Sequence, residues 1–179
     1  MGAPQASGEI GFSRPLRVDG LPKDAPHRFS ETATAEERAA VARLFDVLEV
    51  AKLTIDGSLA PEADGAWLLT ATIRATVTQR CVVSLAPVTS RLSETVRRLY
   101  VPDFAAEAED TLFADEESEP LERQIDIGAV AVEGAALALP SYPRAPGAAL
   151  DPQYGGAGGD EREKPFAALA DLKAKLSEN

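Results

Sequence analysis

One stretch of the chain alternates strictly. From Trp67 the odd positions read Trp67, Leu69, Ala71, Ile73, Ala75 and Val77, while the even positions read Thr70, Thr72, Arg74, Thr76, Thr78 and Arg80. Period two sustained over that length predicts a long antiparallel strand with one apolar and one wet face. The apolar parity continues through Cys81, Val83 and Leu85, so the strand is expected to run until Pro87 ends it. A shorter strand is predicted ahead of it, where Ala51, Leu53 and Ile55 alternate with Lys52, Thr54 and Asp56. Gly57, Pro61 and Asp64-Gly65 then supply turn signals between the two. A third strand is expected over 95–101, stopping at Pro102.

Elsewhere the spacing turns helical. Thr34-Ala35-Glu36-Glu37 is a capping box, in which the threonine oxygen takes a free amide and Glu37 reaches back to the cap. Val41, Leu44, Phe45 and Leu48 follow on one stripe and predict a helix over 35–48. Asp126 is a good N-cap for a second helix, 126–139, which carries only Glu133 as a charge and is expected to be largely buried before Pro140 stops it. At the front, Phe12, Pro15-Leu16 and Val18 read as a short edge strand, and His27 and Phe29 fall in a turn-rich connection. Residues 1–11 read as a loose tail, 140–165 as a Pro/Gly-rich linker, and 166–176 as a short terminal helix. Together these elements predict an α+β domain over 12–139, with an antiparallel sheet able to curl toward a barrel under two main helices.

Composition narrows the function. The 179 residues carry 18 Lys and Arg against 29 Asp and Glu, a net charge of −11, so the chain as a whole repels nucleic acid and anionic lipid. Nine of the acids lie in 103–122 with no Lys or Arg among them, which predicts a mobile loop suited to a basic partner through Asp115, Glu116, Glu117 and Glu119. The sign reverses over 74–98, where five arginines (Arg74, Arg80, Arg91, Arg97 and Arg98) face one acid, Glu94. By strand parity Arg74 and Arg80 share the wet face with four threonines, and arginine beside hydroxyls on a sheet can hold phosphates. Arg97, Arg98 and Gln79 complete the candidate RNA- or partner-binding set. Docking of the acidic loop onto the same arginines is the other reading of this patch.

The remaining chemistry is bland. Cys81 is the one cysteine and His27 the one histidine, so no disulfide framework, thiolate metal cluster or evident Cys-His pair is available. Cys81 reads as a core residue and His27 as a solvated one. The acidic run lacks the glycine-centred alternation of a calcium loop, and Gly155-Gly156-Ala157-Gly158-Gly159 has no preceding strand and is followed by Asp160-Glu161, wrong for phosphate. No catalytic residue, metal or cofactor is expected, and no small-molecule substrate. Apolar runs are about half a membrane span and residues 1–10 lack a signal-peptide pattern, so a soluble, cytoplasmic chain is expected.

Three segments together carry a family resemblance. They are Val77-Thr78-Gln79-Arg80-Cys81; the helix from Ile125-Asp126-Ile127-Gly128 to Leu137-Ala138-Leu139-Pro140, preceded by the acids of 116–119; and Lys164-Pro165-Phe166-Ala167-Ala168-Leu169-Ala170-Asp171-Leu172-Lys173. In this order and spacing they resemble the YceD family, the bacterial large ribosomal RNA subunit accumulation proteins, over roughly 12–173. The resemblance implies a non-enzymatic ribosome-biogenesis role supporting large-subunit (23S) rRNA, with that rRNA or a pre-ribosomal particle as partner. A neighbouring gene for a small basic ribosomal protein, common in the family, suggests the alternative of an acidic chaperone for such a protein. Many members carry a Cys-x-x-Cys pair where this chain has Thr78-Gln79-Arg80-Cys81, and further cysteines after the helix, so a metal or redox role of those relatives is not inherited. A hydrolase built from scattered residues is the remaining rival.

Overall fold

Alternation along the longest run of the chain does become a strand, and everything else is arranged about it. The computed structural model describes residues 11–102 and 117–149, nearly all of them within one unit, Met1–Pro146. Its elements are β1 (Pro15–Arg17), β2 (His27–Thr32), α1 (Ala35–Leu44), β3 (Glu49–Pro61), β4 (Trp67–Arg80), β5 (Pro87–Val101), β6 (Glu117–Pro120), β7 (Gln124–Asp126) and α2 (Ile127–Leu137), with two single 3-10 turns at Val18–Gly20 and Ala63–Gly65. Five strands form one sheet in the order β2-β3-β4-β5-β6, antiparallel except for the parallel β5–β6 pair, while β1 and β7 pair separately. The fold is α+β. The large sheet does not close into a barrel, because β2 and β6 remain its two edges.

The odd residues of β4 form the floor of the core: Trp67, Leu69, Ala71, Ile73, Ala75 and Val77 are all at most 4% exposed. Burying each of the larger aliphatic groups contributes about 1.5–3 kcal/mol. Over this floor lies α2, whose Val130, Ala131, Val132 and Ala135 join the same cluster with Leu53, Ile55 and Leu59 of β3. Small residues set how closely it lies. A Cβ on Gly134 would meet the Ile73 side chain, and one on Gly128 would come within 2.8 Å of three backbone atoms of residues 12–14. Asp126 starts the helix as expected, its Oδ1 accepting from Gly128 N and Ala129 N at 2.9 and 3.1 Å. The Thr34–Glu37 capping box of α1 is complete as well.

Several expectations give way. The helix of 35–48 ends at Leu44, because Asp46 adopts a left-handed conformation (φ 52°) that turns the chain into β3; Leu44 and Leu48 are then exposed. His27 and Phe29 lie not in a turn but in β2, a strand with so little apolar content that only pairing with β3 defines it. β3 runs on to Pro61, past the turn expected at Gly57. β4 stops at Arg80 instead of continuing to Leu85. Cys81–Ala86 forms the hairpin turn, closed by Cys81 N donating to Ala86 O, and Leu85 is an exposed, positive-φ residue (φ 60°) of that turn. β5 then begins at Pro87 itself and pairs with β4 along its whole length, where only 95–101 was expected. Residues 1–10 of the tail expected over 1–11, the terminal helix at 166–176, most of the linker and residues 103–116 of the acidic loop lie outside the described residues.

Candidate nucleic-acid interface

Register decides what the second face of the sheet displays. Residues directly opposite in an antiparallel pair share a face. β4 pairs Thr70 with Arg97, Thr72 with Thr95, Arg74 with Ser93, Thr76 with Arg91 and Thr78 with Thr89. On its other side β4 pairs Thr76 with Lys52, Arg74 with Thr54, Thr72 with Asp56 and Thr70 with Ser58; β3 in turn pairs Ser58 with Arg28 and Asp56 with Ser30. The face opposite the core therefore carries Arg28, Lys52, Arg74, Arg80, Arg91 and Arg97 among a field of threonines and serines. Among the described residues, Glu49 and Asp56 stand against these six cations, an excess of four positive charges on one face of a chain whose net charge is −11. No described residue covers this face, and α1 and α2 belong to the core side.

Contacts within the face are sparse. Arg74 Nη1 lies 3.2 Å from Asp56 Oδ2, and Ser30 Oγ donates to Asp56 Oδ1 at 2.5 Å. Thr78 and Thr89 hydroxyls meet at 3.0 Å. With both side chains about half exposed, the Arg74–Asp56 pair adds at most about 1 kcal/mol. Among the described residues, Arg28, Lys52, Arg80 and Arg91 have no ion-pair partner, and all four are exposed. Their charges are available to a ligand.

Of the five candidate binding residues, the structure brings Arg74, Arg80 and Arg97 to this face and sends Gln79 and Arg98 to the other. Gln79 packs against the chain leaving α2, where its Nε2 donates to Pro140 O at 3.2 Å. Arg98 is 4% exposed, with Nη1 2.9 Å from Glu119 Oε1 and 3.0 Å from Glu133 Oε2. It ties β5, β6 and α2 together under the sheet. Beside it, burial and then the Glu119 charge push the Tyr100 hydroxyl up to about 12. Glu119 is thus engaged inside the chain, Glu117 opens β6 opposite Arg98, and Asp115 and Glu116 lie outside the described residues. Arg91, one of the five arginines of 74–98, joins the face as well, and so do Arg28 and Lys52, which do not stand out in sequence. The signal for Lys52 and Arg91 is strand parity with Thr76; Arg28 has only its place in a weakly patterned strand.

Cys81 follows β4 directly and is fully buried. Its Sγ accepts backbone N–H groups of Val83, Ser84 and Ala145 at 3.4, 3.3 and 3.3 Å. These donors, Ala145 foremost, draw the thiol down to about 6 against the opposing effect of burial. The thiol pins the β4–β5 turn to residue 145, and among the described residues no three His, Cys, Asp or Glu side chains come together around a metal position. Nor is any described helix long and apolar enough to cross a membrane.

Comparison with known families decides the kinship. A family model, described as large ribosomal RNA subunit accumulation protein YceD, matches residues 69–173. The chain belongs to the YceD family. The match takes in β4 from Leu69 on, β5, β6, β7 and α2, hence Arg74, Arg80, Arg91 and Arg97, while Arg28 and Lys52 precede it. No curated protein and no solved structure matches the chain. The family's description names accumulation of the large ribosomal RNA subunit, and so suggests involvement in that process.

Proposed function

We propose that the protein is a binding factor, not an enzyme, that supports accumulation of large-subunit rRNA by contacting that RNA or a pre-ribosomal particle through the open face of its sheet. One observation carries this: an acidic chain collects six Lys and Arg side chains on a single hydroxyl-rich face. Such a local reversal of sign is what contact with a polyanion requires when the overall field repels it. The competing role, docking a basic ribosomal protein through Asp115, Glu116, Glu117 and Glu119, has less support, because Glu119 is already held by Arg98.

The test is Arg74→Glu with Arg80→Glu. Both side chains lie on the wet face, so the fold should survive at a cost within roughly 1 kcal/mol. Cells lacking the protein should show a lowered ratio of large- to small-subunit rRNA. The double variant should accumulate as a folded protein yet fail to restore that ratio. Full restoration would make these arginines bystanders and move the acidic-segment reading ahead.

A further inference from the structure

We infer that the open face is built for double-stranded RNA, and that it grips the phosphate lines on either side of the duplex's shallow groove. This rests on the RNA-binding reading above and names the form of RNA. Single-stranded RNA is held by stacking its bases on aromatic rings, and duplex RNA by phosphate and 2′-hydroxyl contacts across the minor groove. Among the described residues the face has no aromatic side chain: Phe29, Trp67 and Tyr100 have the core parity of their strands. What it has instead is mostly cations and hydroxyls, with Leu68 and Leu99 at one end and the acids Glu49 and Asp56.

Their placement is ordered. Arg28 lies level with Ser58, Thr70 and Arg97, and Lys52 lies level with Thr76 and Arg91. These two transverse rows are six residues apart along β4, or about 20 Å at 3.4 Å per residue. Arg80 lies four residues further, about 14 Å beyond the second row. The first row spans three inter-strand spacings, about 14 Å, from Arg28 to Arg97. Between the rows lies a band of hydroxyls, Thr72, Thr95, Ser93 and Ser30, around the neutralised Arg74–Asp56 pair. A hydroxyl both donates and accepts, so it pairs with a 2′-OH, a group that DNA lacks. Arg74 and Arg97 have partners within the protein. The inference therefore rests on Arg28, Lys52, Arg80 and Arg91 for charge and on the band for discrimination.

Fluorescence anisotropy of the full chain tests this with three probes: an RNA hairpin with about 16 base pairs, an unpaired RNA of equal length, and a DNA duplex of the hairpin's sequence. The hairpin should bind at least about tenfold more tightly than either of the others. Four phosphate contacts give a log–log salt slope of about −3.6, and Lys52→Glu with Arg91→Glu should weaken binding at least tenfold and flatten that slope by about two. Thr72→Val with Thr95→Val, which keeps the strand's shape and charge, should narrow the RNA-over-DNA preference and leave the slope unchanged. Equal binding of unpaired RNA, or of the DNA duplex, overturns the inference while RNA contact stands. Binding of none of the three overturns both this inference and the proposed function.

Discussion

Adding one methyl group at either of two glycines of α2 should have unequal consequences, and the reason lies in what each glycine faces. A Cβ on Gly128 would come within 2.8 Å of Arg14 N, Phe12 O and Ser13 Cα, all backbone atoms. That backbone is anchored: Arg14 N donates to Asp126 Oδ1 at 2.7 Å, and Ile127 N donates to Arg14 O at 3.2 Å. Making room therefore displaces β1 and loosens the start of the helix. Overpacking of this kind costs about 1–3 kcal/mol, and damage to the cap about 1 more. The helix-propensity gain of alanine, about 1 kcal/mol in a helix interior and smaller in the first turn, offsets only part. Gly128→Ala should thus lose about 2–3 kcal/mol, or roughly 5–10 °C in Tm for a domain of this size. At Gly134 the nearest atom is Ile73 Cδ1, the end of a flexible side chain. An off-rotamer Ile73 costs about 0.5–1.5 kcal/mol and the propensity gain balances it, so Gly134→Ala should stay within about 1 kcal/mol of the parent. Urea unfolding followed by far-ultraviolet circular dichroism reads both, with the slope m unchanged if only stability has moved. Equal losses for the two variants would refute the distinction between backbone and side-chain obstruction.

Asp126 accepts from Arg14 N, Gly128 N and Ala129 N through one oxygen and from Ser13 Oγ through the other. Asp126→Ala should cost about 2–4 kcal/mol in the same assay, and Asp126→Asn, which keeps an accepting oxygen, less than half of that. Glu37 is held below the ordinary glutamate range chiefly by its hydrogen bond from Arg14, with Thr34 N donating as well. Its lowered folded value means that the stability it adds is present above the ordinary value, about 4.3, and is lost as pH falls through the folded one. Unfolding midpoints measured between about pH 3 and 6 should fall with acid in the parent and fall less steeply in Glu37→Gln; identical slopes would remove Glu37 from the acid response.

Local chemistry made part of this architecture legible in the chain. The capping box at Thr34, the Asp126 cap and the alternation from Trp67 to Arg80 involve residues within a few positions of one another, and each appears where the pattern puts it. Arg74 and Arg80 share a face for the same reason. The positive sign of 74–98 is equally a property of sequence alone.

Tertiary pairing decided the rest. Residues 87–94 are strand because β4 offers them a full ladder of partners, while their own sequence is polar at five of eight positions, with only Val88 and Leu92 as strand-favouring apolar residues. β2 exists on the same terms beside β3. The turn at Cys81–Ala86 breaks an alternation that sequence would have extended, since three backbone amides converge on Sγ and the chain must reverse to pair β5. Arg97 and Arg98 show the division most directly. Adjacent strand residues must face opposite ways, so one of them has to point inward, and sequence does not say which. The register that sets Arg97 against Thr70 and Arg98 against Leu69 places the first on the open face and the second under the sheet. There, Glu119 and Glu133 supply the counter-charge without which a guanidinium could not be buried.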